Sequence, residues 1–312
     1  MSSDSGSRAG EKEARVAGNT GSIDAEVASQ PQCWRLAARQ APDAAAVLPA
    51  SGERVAVAGC GTSWFIAQAY AAAREACGQG ETDAFAASEM PAGRDYDRVL
   101  VLSRSGTTTE ILELLGRLRG RARTVAITAV ADSPVAAAAG EAIVLGFADE
   151  ESVVQTRFAT SELALLRAHL GQDMEPVAQA AERVLGEPLP EAMTAASRFT
   201  FLGTGWTCGV ASEAALKLKE AAGMWTEAYP AMEYRHGPAA VTGEGSLVWV
   251  LGDPPEGLLA EITAAGGVAW HTGEDAMAEL VRVHRLAAEL ARARGLDPDR
   301  PRNLTRSVIL AR

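Results

Sequence analysis

Apolar residues along this chain fall into short runs that alternate with helical stretches and glycine turns. Residues 23–48 space their apolar and alanine positions as one or two helices do. Val55-Ala56-Val57-Ala58 then reads as a strand, Gly59-Cys60-Gly61-Thr62-Ser63 as a turn and residues 64–76 as an alanine-rich helix. Strand, glycine turn and helix make a βα unit. Further β-branched runs at 98–103, 124–128 and 142–145 each alternate with helical sequence, which predicts a parallel sheet covered on both faces.

A long amphipathic stretch over 160–185 and the proline-bearing Glu187-Pro188-Leu189-Pro190 separate this half from a second. The second half opens as the first does: a strand at 199–202, the turn Gly203-Thr204-Gly205 and a helix over 210–222. The two openings set side by side expose a coarse internal duplication. Strands at 246–251 and 267–270, a helix over 274–294 and a tail rich in Pro and Arg complete the pattern. The expected organisation is a disordered lead-in at 1–22, poor in large apolar side chains, then domains at 23–186 and 187–312.

Composition narrows the function classes. A formal net charge of −11 leaves no basic footprint for nucleic acid or an anionic membrane. Cys33, Cys60, Cys77 and Cys208 are scattered, with no spacing for a zinc site or a disulfide framework, so a reducing cytoplasm is expected and neither metal nor cofactor is called for. No apolar stretch approaches membrane-spanning length, and the N-terminus lacks a secretory profile.

In an acidic protein an anion has to be held by a local device. Two hydroxyl-rich turns at expected strand ends supply one: Gly61, Thr62 and Ser63 in the first, and Ser103-Arg104-Ser105-Gly106-Thr107-Thr108-Thr109 in the second. Small residues admit backbone N–H groups to an anion, hydroxyls add donors, and the following helix points its positive end there. Arg104 is expected to add a charge-assisted donor. A single such turn serves equally as a capped βα connection, and GxGxxG is absent from both.

Acid–base chemistry concentrates downstream. Glu213, Lys217 and Glu220 share one helix face at steps of four and three. An exposed Glu–Lys–Glu stripe gives the same spacing, but this helix is alanine-rich and follows a glycine turn at a strand end, where open α/β sheets place ligands. His236 precedes Gly237-Pro238 and is expected on a loop. His169, His271 and His284 lack such a setting and read as surface or packing residues.

Taken in order, Gly59 to Ser63, Ser103 to Thr108, Glu213 to Glu220, Glu227-Ala228-Tyr229 and Arg235 to Pro238 resemble the sugar isomerase (SIS) family. The resemblance is to the isomerase half of glucosamine-6-phosphate synthase and to related amino-sugar-phosphate deaminase/isomerases and fructosamine-6-phosphate deglycases. It implies two SIS modules, each a five-stranded parallel sheet in a three-layer α/β/α, flavodoxin-like arrangement. It also implies a homodimer sharing His236 across subunits. Thr62, Ser63, Ser103, Ser105 and Thr108 would hold a sugar phosphate, with Arg104 in place of a glutamine. Glu220 would move a proton between C1 and C2, Glu213 and Lys217 would support it, and His236 would open the ring.

The tail Pro301 to Val308 resembles that of the synthase, but Arg306 stands where the synthase has its imine-forming lysine; a guanidinium does not form imines, so Arg306 is a candidate to grip the substrate or to close the tail. No glutaminase domain is expected ahead of Met1-Ser2-Ser3. An amino-sugar 6-phosphate isomerase/deaminase leads. The alternatives are a dehydratase acting on the N-acetylated sugar, a fructosamine-6-phosphate deglycase, and a non-catalytic phosphosugar sensor.

Overall fold

The computed structural model describes residues 22–310. The lead-in expected over 1–22 lies outside them except for Ser22, which starts α1 (Ser22–Ala28). From there the chain runs through α2 (Gln30–Ala44), β1 (Val55–Gly59), α3 (Thr62–Ala76), β2 (Thr82–Ala86), β3 (Arg98–Leu102) and α4 (Thr109–Leu118). It continues through β4 (Arg123–Thr128), α5 (Pro134–Ala138), β5 (Glu141–Val144), α6 (Arg157–His169) and α7 (Glu175–Gly186). The five strands form one parallel sheet in the order β2-β1-β3-β4-β5. Every residue of β1 and β3 is buried, as a parallel sheet covered on both faces requires.

The second half contains α8 (Glu191–Thr194), β6 (Arg198–Gly203), α9 (Thr207–Ala222), β7 (Thr226–Pro230), β8 (Ser246–Leu251), α10 (Leu258–Ala264), β9 (Val268–Trp270) and α11 (Ala276–Ala293). Its strands are also parallel, in the order β7-β6-β8-β9. This repeats the order of the first sheet but stops at four strands, where five were expected. After α11 the chain leaves the second sheet and crosses to the loops of the first: Val153 N donates to Asp299 O (2.9 Å) and Thr109 N to Val308 O (3.2 Å).

The amphipathic stretch over 160–185 is two helices, α6 and α7. It breaks at Gly171, whose φ of 85° ends a helix readily. The duplication seen in the sequence has a geometric counterpart. A Cβ on Gly59 would come within 2.4 Å of Ser63 C, and one on Gly203 within 2.4 Å of Thr207 O. In each half the helix after the strand therefore starts against the strand's last residue. Gly61 and Gly205, with φ of 54° and 58°, turn the chain into it.

The halves interlock through helices. α9 packs against α3 of the first half and against α11, and α11 packs in turn against α7 and α1. Within the first half, Trp34 on α2 is fully buried and its indole donates to Thr160 Oγ1 on α6 (2.9 Å). Gly209 on α9 marks a close approach to α3, since a Cβ there would lie 2.5 Å from Phe65 O and 2.6 Å from Ala69 N. Among the described residues no helix is long and apolar enough to cross a membrane.

Alanine favours a helix by about 1 kcal/mol over glycine. At Gly209 the collision is with backbone, which cannot yield without separating α9 from α3. Gly209→Ala is expected to destabilise the chain by about 1–3 kcal/mol net. A urea-denaturation midpoint equal to or above that of the unaltered chain would show that the two helices are not in forced contact.

Candidate active site

The candidate site forms where α9 meets the start of α3. Glu213 and Lys217 are fully buried, so the stripe read from the sequence is interior and not a solvated face. Lys217 Nζ stands 3.3 Å from Glu213 Oε1 and donates to Glu220 Oε2 (2.5 Å). It also donates to Thr62 Oγ1 (2.9 Å), the first residue of α3. One ammonium thus joins two carboxylates of the second half to a hydroxyl of the first. The Glu220 side chain keeps 21% of its surface exposed, against none for Glu213, so of the two it is the one open to a ligand.

Burial shifts the Glu213 carboxyl. Desolvation raises the Glu213 pKa to about 7 against the pull of Lys217, and the nearby charge of Glu220 adds to the rise. For Lys217 burial works against the charge, but Glu213 and Glu220 more than offset it and hold the ammonium protonated. His284 is also buried; desolvation and the Lys217 charge press its pKa far down and keep it neutral. It is therefore a packing residue, with Nδ1 against Gln30 Nε2 at 3.1 Å.

The second hydroxyl loop follows β3 and leads into α4. Ser103 Oγ and Thr108 Oγ1 lie 3.3 Å apart. Ser105 Oγ donates to Ser307 Oγ (3.0 Å), and Thr107 Oγ1 lies 3.1 Å from Ser105 Oγ and 2.9 Å from Ser307 Oγ. Three hydroxyls from the loop and the tail thus converge. The sequence reading assigned no role to Thr107 or Ser307, although both sit inside stretches it singled out. The signal available for Ser307 was its place beside Arg306. Ser63 is buried at the start of α3, beside Thr62.

Arg104 departs from the expected placement. Its guanidinium is turned inward and buried, donating to Ser152 O (2.8 Å), Val153 O (3.3 Å) and Arg306 O (2.9 Å), with Glu150 Oε2 at 3.6 Å. With both terminal nitrogens occupied by carbonyls, it fastens the tail and a neighbouring loop; it is not a donor at the hydroxyl loop. Arg306 pairs with Asp149 Oδ1 (2.5 Å) and donates to Glu150 O, so its charge is also met within the chain.

His236 lies on an exposed single turn after β7, and no hydrogen bond joins it to Glu213, Lys217 or Glu220 among the described residues. The second half also has exposed large apolar side chains near it in sequence: Trp225, Met232 and Val241.

Residues 50–170 match the family model of the SIS domain. This is one SIS domain where two modules were expected, since the second sheet falls outside the match. Curated relatives include glutamine–fructose-6-phosphate aminotransferases of Sulfurisphaera tokodaii, 26% identical over 83% of this chain and 50% of that protein, and of Acidithiobacillus ferridurans, 31% identical over 68% and 44%. The chain spans about half the length of these relatives. Among solved structures, glucosamine-6-phosphate deaminase of Thermotoga maritima superposes with a TM-score of 0.79 at 24% identity, covering 93% of this chain and all of that one. The C-terminal domain of the Francisella tularensis aminotransferase gives a TM-score of 0.77 at 19% identity, over 91% and 99%.

The raised pKa of Glu213 has a sign that can be measured. The folded state holds this proton more tightly than the unfolded state, so stability falls as pH rises from about 4.5 towards 7. Glu213→Gln removes that titration. Its stability relative to the unaltered chain should rise by up to about 3 kcal/mol between pH 5 and pH 8. Parallel stability–pH curves for the two proteins would place Glu213 in a less buried setting. The chain carries an SIS domain at residues 50–170 and is similar in sequence, over more than two thirds of its length, to the isomerizing aminotransferases above.

Proposed function

We propose that the chain is an enzyme acting on an amino-sugar 6-phosphate by opening the ring and abstracting the C2 proton, an isomerase/deaminase. The observation that carries this reading is the chain of contacts from Thr62 through Lys217 to Glu220. It sets a partly exposed carboxylate beside the glycine turn at the end of β1. The names of the relatives and structural neighbours point the same way: aminotransferases, a deaminase and ketose/aldose isomerases of sugar phosphates.

In this reading the hydroxyls of Ser103, Ser105 and Thr108, with Thr62, Ser63 and Gly61 of the first turn, seat the phosphate. Thr107 and Ser307 join them. Neutral donors and backbone N–H groups suit a dianion in a protein of net charge −11, because they act at contact distance. Glu220 takes the C2 proton of the open-chain aldehyde, and the enolate oxygen at C1 needs a nearby donor. Return of a proton to C1 leaves an imine at C2, and water then releases ammonia and the ketose 6-phosphate. No step needs an enzyme amine, which agrees with Arg306 being tied to Asp149.

His236 is assigned to ring opening in the site of a second copy of the chain. Its exposure, the lack of a hydrogen bond to Glu220 and the exposed apolar Trp225, Met232 and Val241 of the same half support a homodimer that shares this residue.

Glu220→Gln keeps size and loses the base. Ammonia release from glucosamine 6-phosphate should fall by about two to four orders of magnitude. Binding of the same sugar phosphate, followed by calorimetry, should stay within about 2-fold, because the phosphate contacts are untouched. Turnover close to that of the unaltered chain would remove Glu220 from the reaction. An unsaturated, ultraviolet-absorbing product from the N-acetylated sugar, with no ammonia from the free amine, would replace deamination by dehydration.

A further inference from the structure

Behind the candidate site the interior holds polar atoms that nothing satisfies. Among the described residues, both carboxyl oxygens of Glu162, the hydroxyl of Ser161 and Nε2 of His284 are buried with no hydrogen-bond partner. Glu162 is the titratable one of these that the reaction above does not use and that packing alone does not explain. Its side chain is fully buried on α6, the helix that packs against α2 and α3. A buried carboxyl with neither a donor nor a counter-ion is among the costliest groups a protein interior can hold in its charged form.

The charges that act on Glu162 are Glu150, in the loop before α6, and Glu213 on α9, and both are negative. The cations of the neighbouring elements are engaged elsewhere. On α2, Arg35 pairs with Glu175 and Glu182, and on α3, Arg74 spends its guanidinium on the carbonyls of Ala50, Glu53 and Gly80; Arg39, Asp43 and Glu75 of these helices are exposed. On α6 itself Arg157 donates to Asp149 O and Arg167 pairs with Asp275, while Arg104 lies against Glu150 and His284 of α11 is neutral. Lys217 stands beside Glu213 and gives its other contacts to Glu220 and Thr62. One ammonium therefore counters Glu213 and none counters Glu162. Two buried carboxyls so placed do not both ionise, and the proton stays where the counter-charge is missing. Desolvation and the two like charges push Glu162 well above the usual carboxylate range, whereas Glu213, with Lys217 beside it, reaches about 7.

We infer that Glu162 is a positioning residue that holds the proton of this buried pair as a neutral carboxylic acid, leaving Glu213 charged to fix Lys217 and, through it, Glu220. Its part in the reaction rests on the reading proposed above; the place of the proton does not. No hydrogen bond joins Glu162 to Lys217 or Glu220, so it acts through Glu213. A neutral group behind Glu213 leaves the ammonium shared between the sealed carboxylate and the open one. An ionised Glu162 would add a second negative charge on the inner side and draw the ammonium away from Glu220.

Difference infrared spectroscopy of the full chain against Glu162→Gln, at about neutral pH, locates the proton. The unaltered chain should show the carbonyl stretch of a protonated carboxylic acid above the amide band, and the variant should lack it. Carboxylate bands lost in its place would show Glu162 ionised and overturn the inference. In Glu213→Gln the like charge is gone, so the acid band of Glu162 should titrate away at a pH lower by about one unit. A band that titrates as before would show that the two carboxyls do not share a proton. The functional readout is the pH profile of ammonia release from glucosamine 6-phosphate. Glu162→Gln has no proton to lose at this position, so its kcat relative to that of the unaltered chain should climb about 3-fold or more between about pH 7 and pH 9, with KM moving less than about 2-fold. Parallel profiles overturn the positioning role. An acid band in a chain that does not turn over the sugar phosphate removes the deaminase reading, and the positioning role with it, while the buried acid stands. Should Glu162→Gln not fold, Glu162→Met, neutral and of similar size, serves in both measurements.

Discussion

A single buried ammonium, Lys217 Nζ, holds the candidate site together. Its partners are Thr62 at the start of α3 and Glu213 and Glu220 on its own helix, so the cluster exists only when the two halves are docked. Burying such a charge costs several kcal/mol, and removing one partner of a buried pair typically costs about 3–5 kcal/mol because the other is left unmatched. Docking is in turn fixed by shape, since Gly209 lets α9 lie directly on the backbone of α3. At its far end α9 stops at Gly223, whose left-handed conformation turns the chain away just beyond Glu220. Packing therefore sets where the ammonium sits, and the ammonium sets where Glu220 points.

The tail follows the same logic on the other side of the site. Arg104 satisfies carbonyls of two separate segments with one planar, always-charged group, a role that a shorter neutral amide cannot fill. It thereby brings Ser307 to the hydroxyls of Ser105 and Thr107. Glu150 completes the arrangement: its Oε1 accepts from Thr156 N (2.6 Å) and Arg157 N (2.8 Å), ordering the loop whose carbonyls Arg104 uses. Burial raises the pKa of Glu150, while the Arg104 charge holds it down. An arginine that looked like an anion donor in the sequence thus acts one layer below, on the backbone that shapes the site.

Most of this architecture was legible because the buried strands announce themselves. Val55 to Gly59 and Arg98 to Leu102 are apolar runs ending at turns, and each turn carries its chemistry in small and hydroxyl residues. The spacing of Glu213, Lys217 and Glu220 also survived intact onto one helix face, sealed at Glu213 and Lys217 and partly open at Glu220. The edge strands β2 and β7 were missed. Thr-Asp-Ala-Phe-Ala and Thr-Glu-Ala-Tyr-Pro are only partly buried and carry polar residues, so neither has the pattern of an interior strand. Which way a long side chain turns is not encoded by periodicity either. Arg104 follows an apolar strand in a hydroxyl-rich loop, and nothing local distinguishes a guanidinium facing solvent from one facing three carbonyls supplied by residues 48 to 202 positions away.

The difference between Glu213 and Glu220 explains why two carboxylates share one lysine. They lie two turns apart on α9, and both pair with Lys217. Glu213 is sealed against solvent, so its work is confined to positioning the ammonium, while desolvation raises its own proton affinity. Glu220 reaches a surface cleft, where a substrate carbon can meet it. If both were sealed there would be no base at the surface of the site, and if both were open Lys217 would be hydrated and free to move. One buried and one accessible carboxylate on a common cation give a base that is at once reachable and fixed in position. The helix supplies that asymmetry through its packing, which seals Glu213 and leaves Glu220 partly open.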